Sequence, residues 1–244
     1  WRITQVTTPG VHAQKGISSD ITQHVLLSDA YCGILADGAG SAKYGRFGAE
    51  ESCIFATCVM KTTPSLQEKI QRNPKAWGDH FLCSLRNHLQ EMAEKKGCSL
   101  RDFACTFNCV IIWPDAFFYF NVGDSNLVTR SRDDGTYQQW GKSSNEFINV
   151  THFVTEENSS YQMGFIPKKV VFVCQFSDGL AHVALDQNNN HVPYDKFFRP
   201  FEDFFSQTPQ STRRYEDLRK FLQSPQLRAR SEDDKSLSIA WRKS

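Results

Sequence analysis

The chain of 244 residues lacks most of the signatures that would settle its class at sight. No apolar run approaches the roughly 20 residues needed to cross a bilayer. Net charge is only +1, so there is no basic footprint for nucleic acid or an anionic membrane surface. The first residues, Trp1-Arg2-Ile3-Thr4-Gln5-Val6, read as a strand and not as a signal peptide. No Cys-x-x-Cys occurs among the eight cysteines, Cys32, Cys53, Cys58, Cys83, Cys98, Cys105, Cys109 and Cys174. Most of them sit in apolar runs, which is how free buried thiols in a reducing compartment behave. His-Glu-x-x-His and Gly-x-Ser-x-Gly are missing, and no Cys is followed six residues later by Arg. That removes zinc peptidases of this type, serine hydrolases with a nucleophile elbow, and thiol phosphatases. Repeats and low-complexity tracts are also absent, and no composition shift marks a boundary, so one domain over 1–244 is expected.

What the chain does have is acids at the ends of β-rich runs. Tyr31-Cys32-Gly33-Ile34-Leu35-Ala36 stops on Asp37-Gly38, Phe118-Tyr119-Phe120-Asn121-Val122 on Gly123-Asp124-Ser125, and Val170 to Phe176 on Ser177-Asp178-Gly179. A strand that ends this way places a carboxylate at the rim of a core, and the glycines let backbone approach whatever the carboxylate holds. Gly40-x-x-x-x-Gly45 has the outline of a P-loop, but Arg46-Phe47 stands where Lys-Ser/Thr is required. Asp20, Asp37, Asp124, Asp178 and Asp233 remain. Carboxylate, carbonyl and water ligands suit hard Mg²⁺ or Mn²⁺, and a metal pair about 3.5–4 Å apart can activate water for in-line attack on phosphorus.

The rest of the chain predicts alternating β and helical blocks. Residues 1–36 read as strand, loop, strand, strand. A small-residue helix follows over 45–62, and a stronger one opens at Asn73-Pro74. That second helix carries Trp77, Phe81, Leu85, Leu89 and Met92 at helical spacing and ends at Gly97. Phe103–Trp113 and Ala116–Val122 read as a hairpin around Pro114-Asp115. The stretch 137–169 reads as a polar, irregular excursion. Phe197-Phe198 and Phe201–Phe205 read as helical pieces broken by Pro200, and Ser211 as an N-cap. Arg213-Arg214 and Arg228-Ala229-Arg230 read as solvated faces. The order β, αα, β, α, β fits an α+β layered fold better than a doubly wound parallel sheet.

Four blocks carry a resemblance. Asp37-Gly38-Ala39-Gly40, Asn121-Val122-Gly123-Asp124-Ser125, Ser177-Asp178-Gly179-Leu180 and Asp233-Asp234-Lys235-Ser236 stand in this order at strand ends. They resemble the motif blocks of the metal-dependent protein phosphatase 2C (PPM) family, compact bacterial branch. The resemblance implies a four-layer α-β-β-α sandwich, with two mainly antiparallel sheets flanked by helix pairs. It also implies hydrolysis of phosphoserine and phosphothreonine on proteins by metal-bound hydroxide, without a phosphoenzyme. Two Mn²⁺ or Mg²⁺ ions are implied. Asp37 bridges them, the Gly38 carbonyl binds one of them, Asp178 and Asp233 complete the ion nearer the final strand, and Asp20 acts in the first shell or through water. Asp124 is implied for a weaker third ion. The expected setting is a monomer in a bacterial cytoplasm working opposite a Ser/Thr kinase. The N-terminal block departs from the family, ending in Ser18-Ser19-Asp20 and lacking the family's phosphate-holding arginine. His12 and Lys15 are the nearest cations and take that role by default. This departure leaves one alternative, a catalytically weak pseudophosphatase serving as a regulatory binding module.

Overall fold

The computed structural model describes residues 1–11, 13, 16–141, 151–186 and 192–243. Two five-stranded antiparallel sheets form its centre. The first orders its strands β2 (Asp20–Leu26), β3 (Tyr31–Asp37), β4 (Phe107–Ile112), β5 (Phe117–Val122) and β8 (Gln162–Ile166). The second orders β1 (Arg2–Thr8), β12 (Lys235–Trp241), β9 (Val170–Phe176), β6 (Asn126–Ser131) and β7 (Tyr137–Trp140). Both sheets are antiparallel throughout, as the α+β reading and the resemblance anticipated.

Strand alternation sorts the side chains into layers. Cys32, Ile34 and Ala36 of β3 and Phe107, Cys109 and Ile111 of β4 point outward. They pack on helices α1 (Gly45–Thr62), α2 (Leu66–Arg72) and α3 (Pro74–Lys95). Phe172, Cys174 and Phe176 of β9 and Leu237 and Ile239 of β12 point outward on the other side. There they meet a small helix α4 (Ala181–Ala184), then α5 (Asp195–Gln207), α6 (Ser211–Leu222) and the short α7 (Pro225–Arg228). A short β10 (Leu185–Asp186) pairs with β11 (Val192–Pro193) beside them. The alternate residues Tyr31, Val110, Ile112, Phe117, Leu127, Val170, Val173 and Ala240 close the space between the sheets. Three apolar clusters therefore make four layers.

Several expectations change in detail. The two-helix block contains a third helix, α2. Residues 137–169 are not one irregular excursion, because β7 extends the second sheet and β8 the first, so the segment crosses between them. Both are edge strands with a single partner, and edge strands need no continuous apolar pattern. Pro200 lies inside one continuous α5. Its missing N–H costs a helix bond, while Phe198, Phe201 and Phe205 are buried on the same helix and hold it to the sheet. Ser211 is the first helical residue and makes no capping bond; Gln210 holds the cap position. Arg214 is buried, not solvated. Its guanidinium donates to Thr4 Oγ1 at 3.0 Å and to the Thr208 and Pro209 carbonyls at 2.8 and 2.7 Å. It ties α6 to β1. The eight thiols are free, and among the described residues no helix is long and apolar enough to cross a membrane.

Candidate active site

The inner faces of the strands grow more polar toward one end of the sandwich. On β9 the inward residues run Val173, Gln175, then Ser177; on β12 they run Ala240, Ser238, Ser236. On β4 they run Ile112, Val110, Asn108, and Thr106 follows. The predicted acids gather at that polar end, and both sheets supply them. Asp20 opens β2 directly opposite Asp37, which closes β3. Asp124 sits in the β5–β6 turn. Asp178 follows β9 from the other sheet, and Asp233 precedes β12.

The local backbone explains how these acids are held. Thr106 donates its N–H to the Asp37 carbonyl at 2.8 Å, and its Oγ1 accepts the Asp37 N–H at 3.1 Å. Gly38 bridges to Cys105 and donates to the Ser19 carbonyl at 3.3 Å. A Cβ on Gly38 would run into the backbone of Gly45 and Arg46, so only glycine lets α1 begin this close to Asp37. Gly123 has φ +97°, the left-handed region, and this turn aims Asp124. Gly179 lies flat against the Asp234 carbonyl.

Asp234 was missed by the sequence reading, and it carries much of the architecture. Its Oδ1 accepts the Gly10 N–H at 2.6 Å. Its Oδ2 accepts the Ser19 N–H at 2.6 Å and the Ser19 hydroxyl at 2.8 Å. These short, charge-assisted bonds pin the β1–β2 loop to the turn before β12 and set Asp20 beside Asp37. The only signal in the sequence was the doubling of Asp233-Asp234.

The electrostatics follow from burial and crowding. Asp20 is 2% exposed, Asp37 and Asp178 are half-buried, and Asp124 and Asp233 face solvent. Asp37 is raised far above the usual carboxylate range, first by burial and then by Asp20, Asp178 and Asp124. Burial likewise raises Asp20. The Ser236, Asp37 and Ser177 groups that face it pull the value partly back, yet none reaches hydrogen-bonding geometry. Asp178 moves from 3.8 to about 7 through burial, with Asp124, Asp233 and Asp20 adding repulsion. Both oxygens of Asp20 and Oδ1 of Asp178 are buried with no hydrogen-bond partner among the described residues. Thr151 Oγ1 donates to Asp124 Oδ2 at 2.7 Å, and Asp233 Oδ1 accepts the Asp234 N–H at 2.8 Å. Among the described residues no three acidic, imidazole or thiol side chains converge tightly enough to enclose an ion as they stand. The acids instead face one another across the end of the sandwich, and their mutual repulsion adds to burial in raising Asp37 and Asp178. His12 and Lys15 lie outside the described residues.

Orphaned carboxylate oxygens drawn from both sheets to one rim fit a site for hard cations. The sequence model of the protein phosphatase 2C family matches residues 11–223. The chain belongs to the protein phosphatase 2C family. It is 31% identical over 219 residues to serine/threonine-protein phosphatase 3 of Escherichia coli K12, covering 84% of this chain and 81% of that one. Among solved structures, the serine/threonine phosphatase Stp1 from Staphylococcus aureus superposes with a TM-score of 0.69 at 15% identity. That match covers 99% of this chain and 95% of Stp1. RsbX, solved in complex with magnesium, superposes with a TM-score of 0.56 at 12% identity, covering 97% and 92%. Likeness at these identities concerns the fold, and it agrees with the four layers described above. The 2C family model stops at residue 223, so Asp233 rests on its place in this structure and on its sequence block.

Proposed function

We propose that this protein phosphatase 2C member hydrolyses phosphoserine and phosphothreonine on proteins with the help of two divalent ions, Mn²⁺ or Mg²⁺. The observation that carries the reading is the set of unpartnered, buried carboxylate oxygens on Asp20 and Asp178 beside Asp37. Such groups are stable only when neutralised by protons or by cations. An all-oxygen donor set selects Mg²⁺ or Mn²⁺ over zinc or copper. Asp37, the Gly38 carbonyl, Asp178 and Asp233 would hold the pair, with Asp20 close behind Asp37 and Asp124 serving a weaker third ion. When bound, the ions supply Lewis-acid activation of water and charge neutralisation at phosphorus.

The chain's own residues do the rest. Burial and the neighbouring acids favour the protonated forms of Asp37 and Asp178 in the free protein, so cation binding is expected to release protons and to tighten with rising pH. Asp234 and Thr106 fix the backbone of Asp20 and Asp37, so the donors are oriented before anything binds. The resemblance extends the reading to one 2C-type domain over 1–244, a cytoplasmic monomer whose opposite number is a Ser/Thr kinase. Purified protein with Mn²⁺ is expected to dephosphorylate a phosphothreonine peptide and to lose this on EDTA treatment. Equal turnover with and without chelator rejects the metal mechanism, and no Mn²⁺ binding by calorimetry turns the reading to a regulatory module.

A further inference from the structure

Asp233 belongs to neither sheet. It stands in the turn from Ser231 to Asp234, just before β12, and its carboxylate faces solvent. The backbone of that turn therefore decides where the carboxylate goes. All four carbonyls of the turn are taken. The Val11 N–H donates to the Glu232 carbonyl at 2.7 Å, and the Ser177 hydroxyl to the Asp234 carbonyl at 3.4 Å. The other two, those of Ser231 and Asp233, are taken by a single group, the Lys235 ammonium, at 2.7 and 2.8 Å.

Lys235 is 3% exposed. It opens β12 opposite Thr8 of β1, so its backbone is fixed by the sheet while its ammonium folds back onto the turn before it. A buried ammonium is costly unless a carboxylate pairs with it, and Lys235 bonds two carbonyls and no carboxylate. By charge alone it also repels a cation arriving at the acids. What it supplies is geometry. An ammonium has three donors, and two of them reach back two and four residues and close the turn around the Asp233 peptide. The Asp233 carbonyl is held inward while its side chain leaves toward the rim. The Asp233 Cβ lies 3.5 Å from where a Cβ on Gly179 would stand, so the closed turn sets Asp233 next to Asp178.

We infer that Lys235 is a positioning residue for the cation site: by bonding the Ser231 and Asp233 carbonyls it fixes the turn that presents Asp233 beside Asp178. The inference rests on the metal-site reading above. It is tested by Mn²⁺ calorimetry and by melting in EDTA of Lys235→Met, Asp233→Asn and the double variant. Loss of a group that orients a donor is expected to raise the Mn²⁺ Kd of K235M about 10- to 100-fold. If Lys235 acts through Asp233, D233N and D233N/K235M should bind Mn²⁺ equally, within about twofold. A merely structural lysine would lower the melting temperature of K235M and leave its Mn²⁺ Kd unmoved, and that result overturns the inference. A lysine acting only by charge would make K235M bind Mn²⁺ more tightly, which also overturns it. So do losses that multiply in the double variant, because Lys235 would then act elsewhere. If K235M fails to fold, K235Q, a shorter neutral side chain, replaces it under the same criteria. A wild type that binds no Mn²⁺, or a D233N variant that binds it as wild type does, rejects the metal-site reading itself. Intact binding in wild type, weakened in D233N and unchanged in K235M, rejects only the role of Lys235.

Discussion

The space between the two sheets contains two buried polar regions that are solved in opposite ways. Midway along it, three amides are linked in a chain that leaves only Gln175 Oε1 without a partner among the described residues. Gln175 Nε2 donates to Asn108 Oδ1 at 2.7 Å, Asn108 Nδ2 donates to Asn121 Oδ1 at 2.8 Å, and Asn121 Nδ2 donates to the Gly141 and Gly123 carbonyls at 2.9 and 3.0 Å. One turn of the pleat further on, the acids of the rim satisfy almost nothing. Neutral amides can close a network inside a protein because each carries both donor and acceptor. Ionised carboxylates carry only acceptors, so an acid cluster cannot close upon itself and stays dependent on protons or added cations. The amide region holds the two sheets in register, and the acid region is where that register is put to use.

Asp37→Asn is the severest way to break this contrast. It turns the centre of the acid region into an amide. The loss of several kcal/mol of charge stabilisation corresponds to about 1,000-fold or more in turnover. The free protein should keep its fold and, in chelator, melt close to wild type, because asparagine is the neutral isostere of a carboxyl that burial already drives toward its protonated form. Turnover near wild type, measured with Mn²⁺ on a phosphopeptide, would remove Asp37 from the centre of the site.

The pH dependence of the metal-free protein separates the regions next. A carboxyl whose folded pKa is raised binds its proton better folded than unfolded. Stability is therefore full below the unfolded pKa and is lost as pH rises through the folded one. For Asp178 that window runs from 3.8 to about 7. Melting temperature in EDTA is expected to fall across this range, Mn²⁺ should reverse the fall at pH 7–8, and Asp178→Asn should flatten it. A flat profile in wild type would mean that the acids are solvated and not buried together.

The amide region is expected to respond to the opposite assay. Asn108→Ala takes the donor from Asn121 Oδ1 and the shortest acceptor from Gln175 Nε2, at a cost of about 1–3 kcal/mol seen in denaturant melts. Activity per folded molecule should stay near wild type. If turnover fell as far as in Asp37→Asn while stability held, the two regions would be one functional unit.

The two regions also differ in how well the sequence announces them. Asp37, Asp124, Asp178 and Asp233 are visible because each ends an apolar run beside glycine or serine, a local pattern that needs no knowledge of pairing. Asn108, Asn121 and Gln175 lie inside otherwise apolar strands and become a network only through the registers Asn108↔Asn121 and Ser238↔Gln175. Gln175 Nε2 also reaches the Gly33 carbonyl of the other sheet, 142 positions away. The Arg214 pair looked solvated because burial of a guanidinium depends on carbonyls from Ile3, Thr208 and Pro209, which no local window contains.

The smallest expected effect marks where the polar gradient ends. Ile112 is 1% exposed in the apolar cluster between the sheets, at the far end of β4 from the acids. Its β-branched neighbour in size, valine, keeps the strand preference and removes one methylene. Ile112→Val is expected to cost about 0.5–1.5 kcal/mol by denaturant melts, with KM, turnover and Mn²⁺ affinity unmoved. Its partner Tyr31 stands directly across the ladder and at the start of the strand that ends at Asp37, so β3 is the direct path by which a disturbance at this end could reach the site. A strand held on both sides by β2 and β4 transmits little of a one-methylene gap over its length. A change in Mn²⁺ affinity in Ile112→Val would show that β3 moves as a rigid bar, and that the apolar end tunes the acid end.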